Sequence, residues 1–195
     1  MTRLLLSDGD APHLTEVELE STQAWAGKFL RVRFDQARLP DGRVASREYI
    51  QHPGAVMIVP MFDDGTVVLE RQYRYPVRKT FIEFPAGKLD AGEDPLACGK
   101  RELFEETGYE ATRWTRLGVI HNAIGYSDEH IELWLARGLT AGERRLDEGE
   151  FLDVITAPLA DLVEAIDAGR VTDVKTIVGA YWTERLCRAE RDAAN

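Results

Sequence analysis

Three glutamates, Glu102, Glu105 and Glu106, stand at i, i+3 and i+4 in the stretch GKLDAGEDPLACGKRELFEETGY that runs from Gly87 to Tyr109. On a helix, with about 100° between residues, Glu102 and Glu106 are about 40° apart and Glu105 about 60° from Glu102, so all three share one face. Like charges on consecutive turns repel, and the face is unfavourable unless a cation sits on it. Carboxylate oxygens are the hard donors that Mg2+ or Mn2+ prefers. A solvated acidic helix face is the plain alternative. A strand, a glycine loop and a capped helix come in order before the acids, which weighs against that alternative without naming a reaction.

The helix that must carry these carboxylates has clear ends. Asp94-Pro95 reads as an N-cap followed by proline at the first helical position, and Gly108 as a C-terminal glycine. Leu96, Ala97, Leu103 and Phe104 are expected on the opposite, core-facing side. Upstream, Ala55 to Phe62 is almost wholly apolar, as a strand covered on both faces would be, although Pro60 counts against a central position. Asp63-Asp64-Gly65 then turns the chain into a second strand, Thr66 to Arg74. Further strands are expected at Thr80 to Phe84, Arg116 to Ile120, His130 to Arg137 and Phe151 to Thr156, and helices at about Leu159 to Ala168 and Asp173 to Arg188. Before Pro53-Gly54, the segments Leu14 to Glu20, Lys28 to Leu39 and Val44 to Gln51 read as antiparallel strands. The chain is therefore expected to be α+β, with an N-terminal antiparallel sheet over residues 1–52 and a mixed-sheet domain over 53–195.

Composition bounds the function. The 195 residues carry 24 Lys+Arg against 34 Asp+Glu, a net charge of −10. So acidic a chain is a poor partner for nucleic acid or for anionic membranes. Apolar runs stay below the roughly 18 residues of a membrane span, and Leu4-Leu5-Leu6 is too short for a signal-peptide core. Cys98 and Cys187 alone make no disulfide framework, which suits a cytoplasmic location.

The segment from Gly87 to Tyr109 resembles the Nudix box, G-x5-E-x7-R-E-U-x-E-E-x-G-U with U aliphatic or aromatic. Gly87, Glu93, Arg101, Glu102, Leu103, Glu105, Glu106, Gly108 and Tyr109 fill every defined position. The resemblance implies the Nudix fold, an α/β/α sandwich around a mixed sheet, and metal-dependent hydrolysis of a nucleoside diphosphate linked to another group. It implies that Glu102 and Glu106 bind metal directly, that Glu105 binds directly or through water, and that the carbonyl of Ala86 joins them. Arg101 and Glu93 would form a supporting ion pair. The chemistry is consistent: an acidic site binds a pyrophosphate only with cations between them, here two or three Mg2+ ions, with Mn2+ a possible substitute.

Segments outside the box resemble the ADP-ribose pyrophosphatases of that family, and the resemblance extends from about residue 28 to 182. Glu83-Phe84-Pro85-Ala86-Gly87 matches E-x-P-A-G, and Arg71-Gln72-Tyr73-Arg74 matches an R-Q-Y/F-R strand in which Arg74 contacts phosphate. Taken alone, Arg71 and Arg74 read equally as strand-edge or surface ion-pair residues. The N-terminal sheet resembles one exchanged between the subunits of a homodimer; in that arrangement Phe29 would stack on adenine and Arg47 and Glu48 would touch the nucleoside. Phe29 as a core residue is the alternative. Gly125-Tyr126-Ser127-Asp128-Glu129 matches G-F/Y-S-D/E-E, but Ile124 stands where the subfamily commonly has proline. Asp147 to Phe151 resembles a loop that supplies a catalytic glutamate, with Glu150 aligned best and Glu148 second.

The resemblance implies cleavage of ADP-ribose to AMP and ribose 5-phosphate, with GDP-mannose or ADP-glucose as rival substrates. A non-catalytic ADP-ribose-binding regulator would show a damaged box and an added DNA-binding domain. An isopentenyl diphosphate isomerase would need a catalytic Cys and Glu in its own motifs.

Overall fold

The structure, a computed structural model, describes residues 11–194, and the Leu4-Leu5-Leu6 run lies outside them. The chain divides into two compact units. The first holds the described residues up to His52 together with Ala123–Asp128. Its antiparallel sheet has the order β1 (Val17–Ala26), β2 (Arg31–Arg38), β3 (Val44–Gln51). β1 begins later than the alternation from Leu14 predicts, because Leu14 N–H turns back to the Ala11 carbonyl at 2.8 Å beside Pro12. Pro40-Asp41-Gly42 makes the expected turn, with Gly42 at φ 88°. The 123–128 segment is tied to β3: Ile50 N–H donates to Tyr126 O at 2.8 Å, and His52 N–H to Asp128 Oδ1 at 2.7 Å.

The second unit is a mixed sheet between two helical layers. Its strand order is β10 (Leu152–Pro158), β5 (Thr66–Arg74), β4 (Ala55–Met61), β9 (His130–Ala141), β8 (Tyr109–His121). β6 (Lys79–Glu83) pairs with β5, and β7 (Ala86–Lys88) with β4. β4 runs parallel to β9 and antiparallel to its other partners. All seven residues of β4 are buried, as its apolar run predicts. Pro60 does not exclude a central place: it lies near the strand end, where β4 meets β5 only at Met61 and Val67.

Alternation along β4 splits the core. Val56 and Ile58 pack under α1 (Pro95–Thr107) with Cys98 and Leu103. Met57 and Val59 pack on the other face under α2 (Leu159–Asp167) and α3 (Val174–Ala194), with Leu69 and Leu133. Each such side chain removed from water stabilises the layer by about 1.5–3 kcal/mol. This is the α/β/α sandwich that the resemblance implies. In this unit β7 and β8 depart most from expectation. β7 was not anticipated inside the glycine loop, and β8 starts at Tyr109, directly after the helix, rather than at Arg116. No helix among the described residues is long and apolar enough to cross a membrane.

Candidate active site

α1 begins where the sequence places it. Asp94 Oδ1 accepts from Ala97 N–H at 3.0 Å, and Gly108 closes the helix in the left-handed region at φ 76°. Its buried face differs from the expected one. Cys98, Gly99, Leu103, Glu106 and Thr107 are inside, while Ala97 is exposed. The helix is rotated so that one acid of the three points into the interior. Glu106 is only 3% exposed, whereas Glu102 and Glu105 are half-buried at the margin.

A single cation organises that margin. Arg101 forks Glu93 through Nε and Nη2, both at 3.0 Å, and its Nη1 donates to Glu102 at 2.8 Å and Glu105 at 3.0 Å. Glu93 also accepts from Asp90 N–H at 3.0 Å, which ties the loop to the helix. Those donors, the Arg101 side chain first, hold the Glu93 carboxyl down at about 2. Gly87 leaves room for Glu102: a Cβ there would lie 1.8 Å from Glu102 Cδ. Cys98 is a packing residue with an inert thiol, pushed up to about 12 by burial.

Glu106 is held differently. Its Oε2 accepts from Ala86 N–H at 3.0 Å. Burial raises the Glu106 carboxyl well above its ordinary range, and the charges of Glu70, Glu102 and Glu150 raise it further. Glu102 is also raised, mainly by burial. Glu150 lies in the turn after Gly149, which has φ 86°, and Gln72 Nε2 reaches its Oε1 at 3.4 Å. Glu148 is exposed.

β5 supplies one wall. Arg74 donates through Nε and Nη2 to Glu83, each at 2.7 Å, and Lys175 at the start of α3 binds the same carboxylate. Glu83 is 3% exposed, and these two cations keep it ionised despite burial, with its pKa lowered. Arg71 points away and forms a surface ion pair with Asp153 at 2.6 Å. Sequence reasoning missed Glu70, Gln72 and Lys175. The available signal for Glu70 was an acid within a strand that otherwise reads as buried.

The remaining predicted residues belong to the first unit. Phe29 is 42% exposed and meets His52 edge-on with ring centroids 5.2 Å apart, so it is not a core residue. Arg47 pairs with Glu16, and Arg47 and Glu48 line a cavity of about 500 Å³ together with Asp35, Ile124 and Tyr126.

The donor set suits a hard divalent cation: several carboxylates gather within reach of each other's charge, and Glu70 Oε1 is buried with no hydrogen-bond partner. Among the described residues, no group of three or more His, Cys, Asp or Glu side chains is already set in metal-holding geometry.

A family model of the NUDIX domain matches residues 51–177. The methanol dehydrogenase activator of Bacillus methanolicus is 36% identical over 171 residues, covering 87% of this chain and 92% of that protein. The ADP-ribose pyrophosphatase of Bacillus subtilis is 36% identical over 165 residues, covering 84% of this chain and 89% of that one. A solved structure described as an ADP compounds hydrolase is alike in fold, with a TM-score of 0.80 at 22% identity, over 91% of this chain and 97% of that chain.

Proposed function

The chain belongs to the Nudix family of hydrolases, and on that premise we propose that it cleaves the pyrophosphate of ADP-ribose to AMP and ribose 5-phosphate with Mg2+. One observation carries the reading. Glu102 and Glu106 from α1 and Glu150 from the segment between β9 and β10 bring their charges to bear at one place, as a site for a cation-bridged diphosphate requires. The choice of ADP-ribose leans on the Bacillus subtilis relative.

Glu102, Glu105 and Glu106, with the Ala86 carbonyl, would hold two or three ions, and Mn2+ would substitute for Mg2+. When bound, the metal offsets the charge of the diphosphate and of the leaving oxygen and activates water. Glu150, steadied by Gln72, orients the attacking water and takes its proton. Arg74 faces phosphate with the nitrogen that the Glu83 fork leaves over. Phe29, Arg47 and Glu48 serve the adenosine end, in a homodimer that exchanges the N-terminal sheet. Exposed Val17, Leu19 and Trp25 on β1 suit such an exchange. A cytoplasmic location fits two free cysteines.

The test is kcat/KM with Mg2+ on ADP-ribose, ADP-glucose and GDP-mannose side by side, with Glu106→Gln as the blank. A large preference for ADP-ribose that vanishes in the variant is expected. A preference for GDP-mannose would overturn the substrate assignment and return attention to Ile124. A stable monomer by light scattering at micromolar concentration would remove the exchanged sheet.

A further inference from the structure

Glu70 sits in β5 directly after Val67, Val68 and Leu69, all buried. Leu69 belongs to the core under α2 and α3, so alternation along the strand turns Glu70 to the opposite face, the one that α1 covers. It is 2% exposed. Its neighbour across the ladder is Glu83, also buried, and two carboxylates opposed in this way repel. The cations nearby are already engaged by Glu83: Arg74 through Nε and Nη2, and Lys175 through Nζ. Glu70 Oε1 is left with no hydrogen-bond partner. The carboxylates whose charges bear on Glu70 most are Glu150 and Glu83, and Glu106 in turn feels Glu70 first among its charged neighbours. A buried carboxyl group in this position needs either a proton or a cation.

We propose that Glu70 is a further metal-binding carboxylate of this site, meeting from the sheet side the divalent cation that Glu106 meets from the helix. The proposal rests on the reading of the α1 glutamates as metal ligands. It extends the metal-binding residues beyond the box to a strand position. It also gives a role to the one carboxylate oxygen that is buried without a partner among the described residues.

The experiment is Mn2+ binding to the substrate-free protein, followed by electron paramagnetic resonance of the free ion at mildly alkaline pH. Parent, Glu70→Gln, Glu70→Leu and Glu106→Gln are compared, with circular dichroism confirming that each is folded. Both Glu70 variants are expected to bind Mn2+ roughly tenfold to a hundredfold more weakly, and Glu106→Gln at least as weakly. Without metal they should melt no lower than the parent, since the carboxyl group they remove is buried with one oxygen unpartnered. Parent-like Mn2+ affinity in both Glu70 variants, with Glu106→Gln impaired, overturns the proposal and leaves the α1 site standing; Glu70 then holds a proton instead. Parent-like affinity in Glu106→Gln overturns the metal-ligand reading itself, and the proposal with it.

Discussion

Replacing Gly87 with alanine should separate activity from stability. Gly87 lies in β7 opposite Val56, and its Cβ would fall 1.8 Å from Glu102 Cδ and 1.9 Å from Oε1. Ordinary contact begins at 3.4 Å, so the carboxylate must retreat by about 1.6 Å. Gly87 is not among the residues with positive φ, so alanine meets no backbone strain there. The obstacle is the end of a flexible side chain, which can swing outward while the fold stays intact. The swing breaks the 2.8 Å contact between Glu102 and Arg101 Nη1 and moves one carboxylate of the proposed metal site. A displacement of about 1 Å at a catalytic group can lower turnover about 100-fold, so a loss of at least that size in kcat is expected. Melting should shift by only a few degrees. The assay is steady-state hydrolysis of ADP-ribose with saturating Mg2+, with thermal melting of the same preparations. A kcat within threefold of the parent would refute the reasoning, because the Glu102 position would then not matter. A collapse of melting would refute it in the other way, by showing a structural rather than a positional role.

Other perturbations test the surrounding charges. Burial and their acidic neighbours raise the carboxyl groups of Glu70 and Glu106 in the metal-free protein. The folded state keeps protons that the unfolded chain releases above about 4.5, so stability is full below that pH and declines as pH rises toward the raised values. On the proposed metal site Mg2+ would replace those protons, and its stabilising shift in Tm should therefore grow with pH; a shift independent of pH would contradict this. Glu93 has the opposite sign. It is held at about 2 against an ordinary 4.5, so its contribution is present above 4.5 and lost as pH falls toward 2. Arg101→Met should remove that contribution, lower Tm at neutral pH and flatten the acid side of the Tm–pH profile. Lys175→Met leaves buried Glu83 with Arg74 alone and should destabilise by about 1–3 kcal/mol in urea melts, with a rise in KM if Arg74 shifts.

Several elements were legible without the structure because their causes are local. The Asp94-Pro95 start and Gly108 end of α1 follow from capping and φ preferences of single residues. β3 and β5 run over the ranges that alternation and turn chemistry predict. β7 escaped because three residues between a proline and a glycine loop carry no periodicity, and their pairing with β4 is made by distant chain. The inner face of α1 was misplaced at Ala97 because hydrophobicity alone suggests which side is apolar. How far the helix rolls on the sheet is decided by what it packs against.

The sequence by itself determined the α+β class, the carboxylate-bearing helix and the motif that marks a hydrolase family, since these depend on residue types at fixed short separations; the Glu93–Arg101 pairing followed from the resemblance. Tertiary structure decided which acids are buried and which cations they meet. Glu102 shares Arg101 with Glu93 and Glu105 at the margin, Glu106 accepts an amide 20 positions away, and Glu83 takes Arg74 from 9 positions away and Lys175 from 92. Glu70 is left without a cation by that allotment. Its chemistry depends on desolvation and on neighbours brought in by sheet pairing, and neither property is carried by the residue or by its place in the chain.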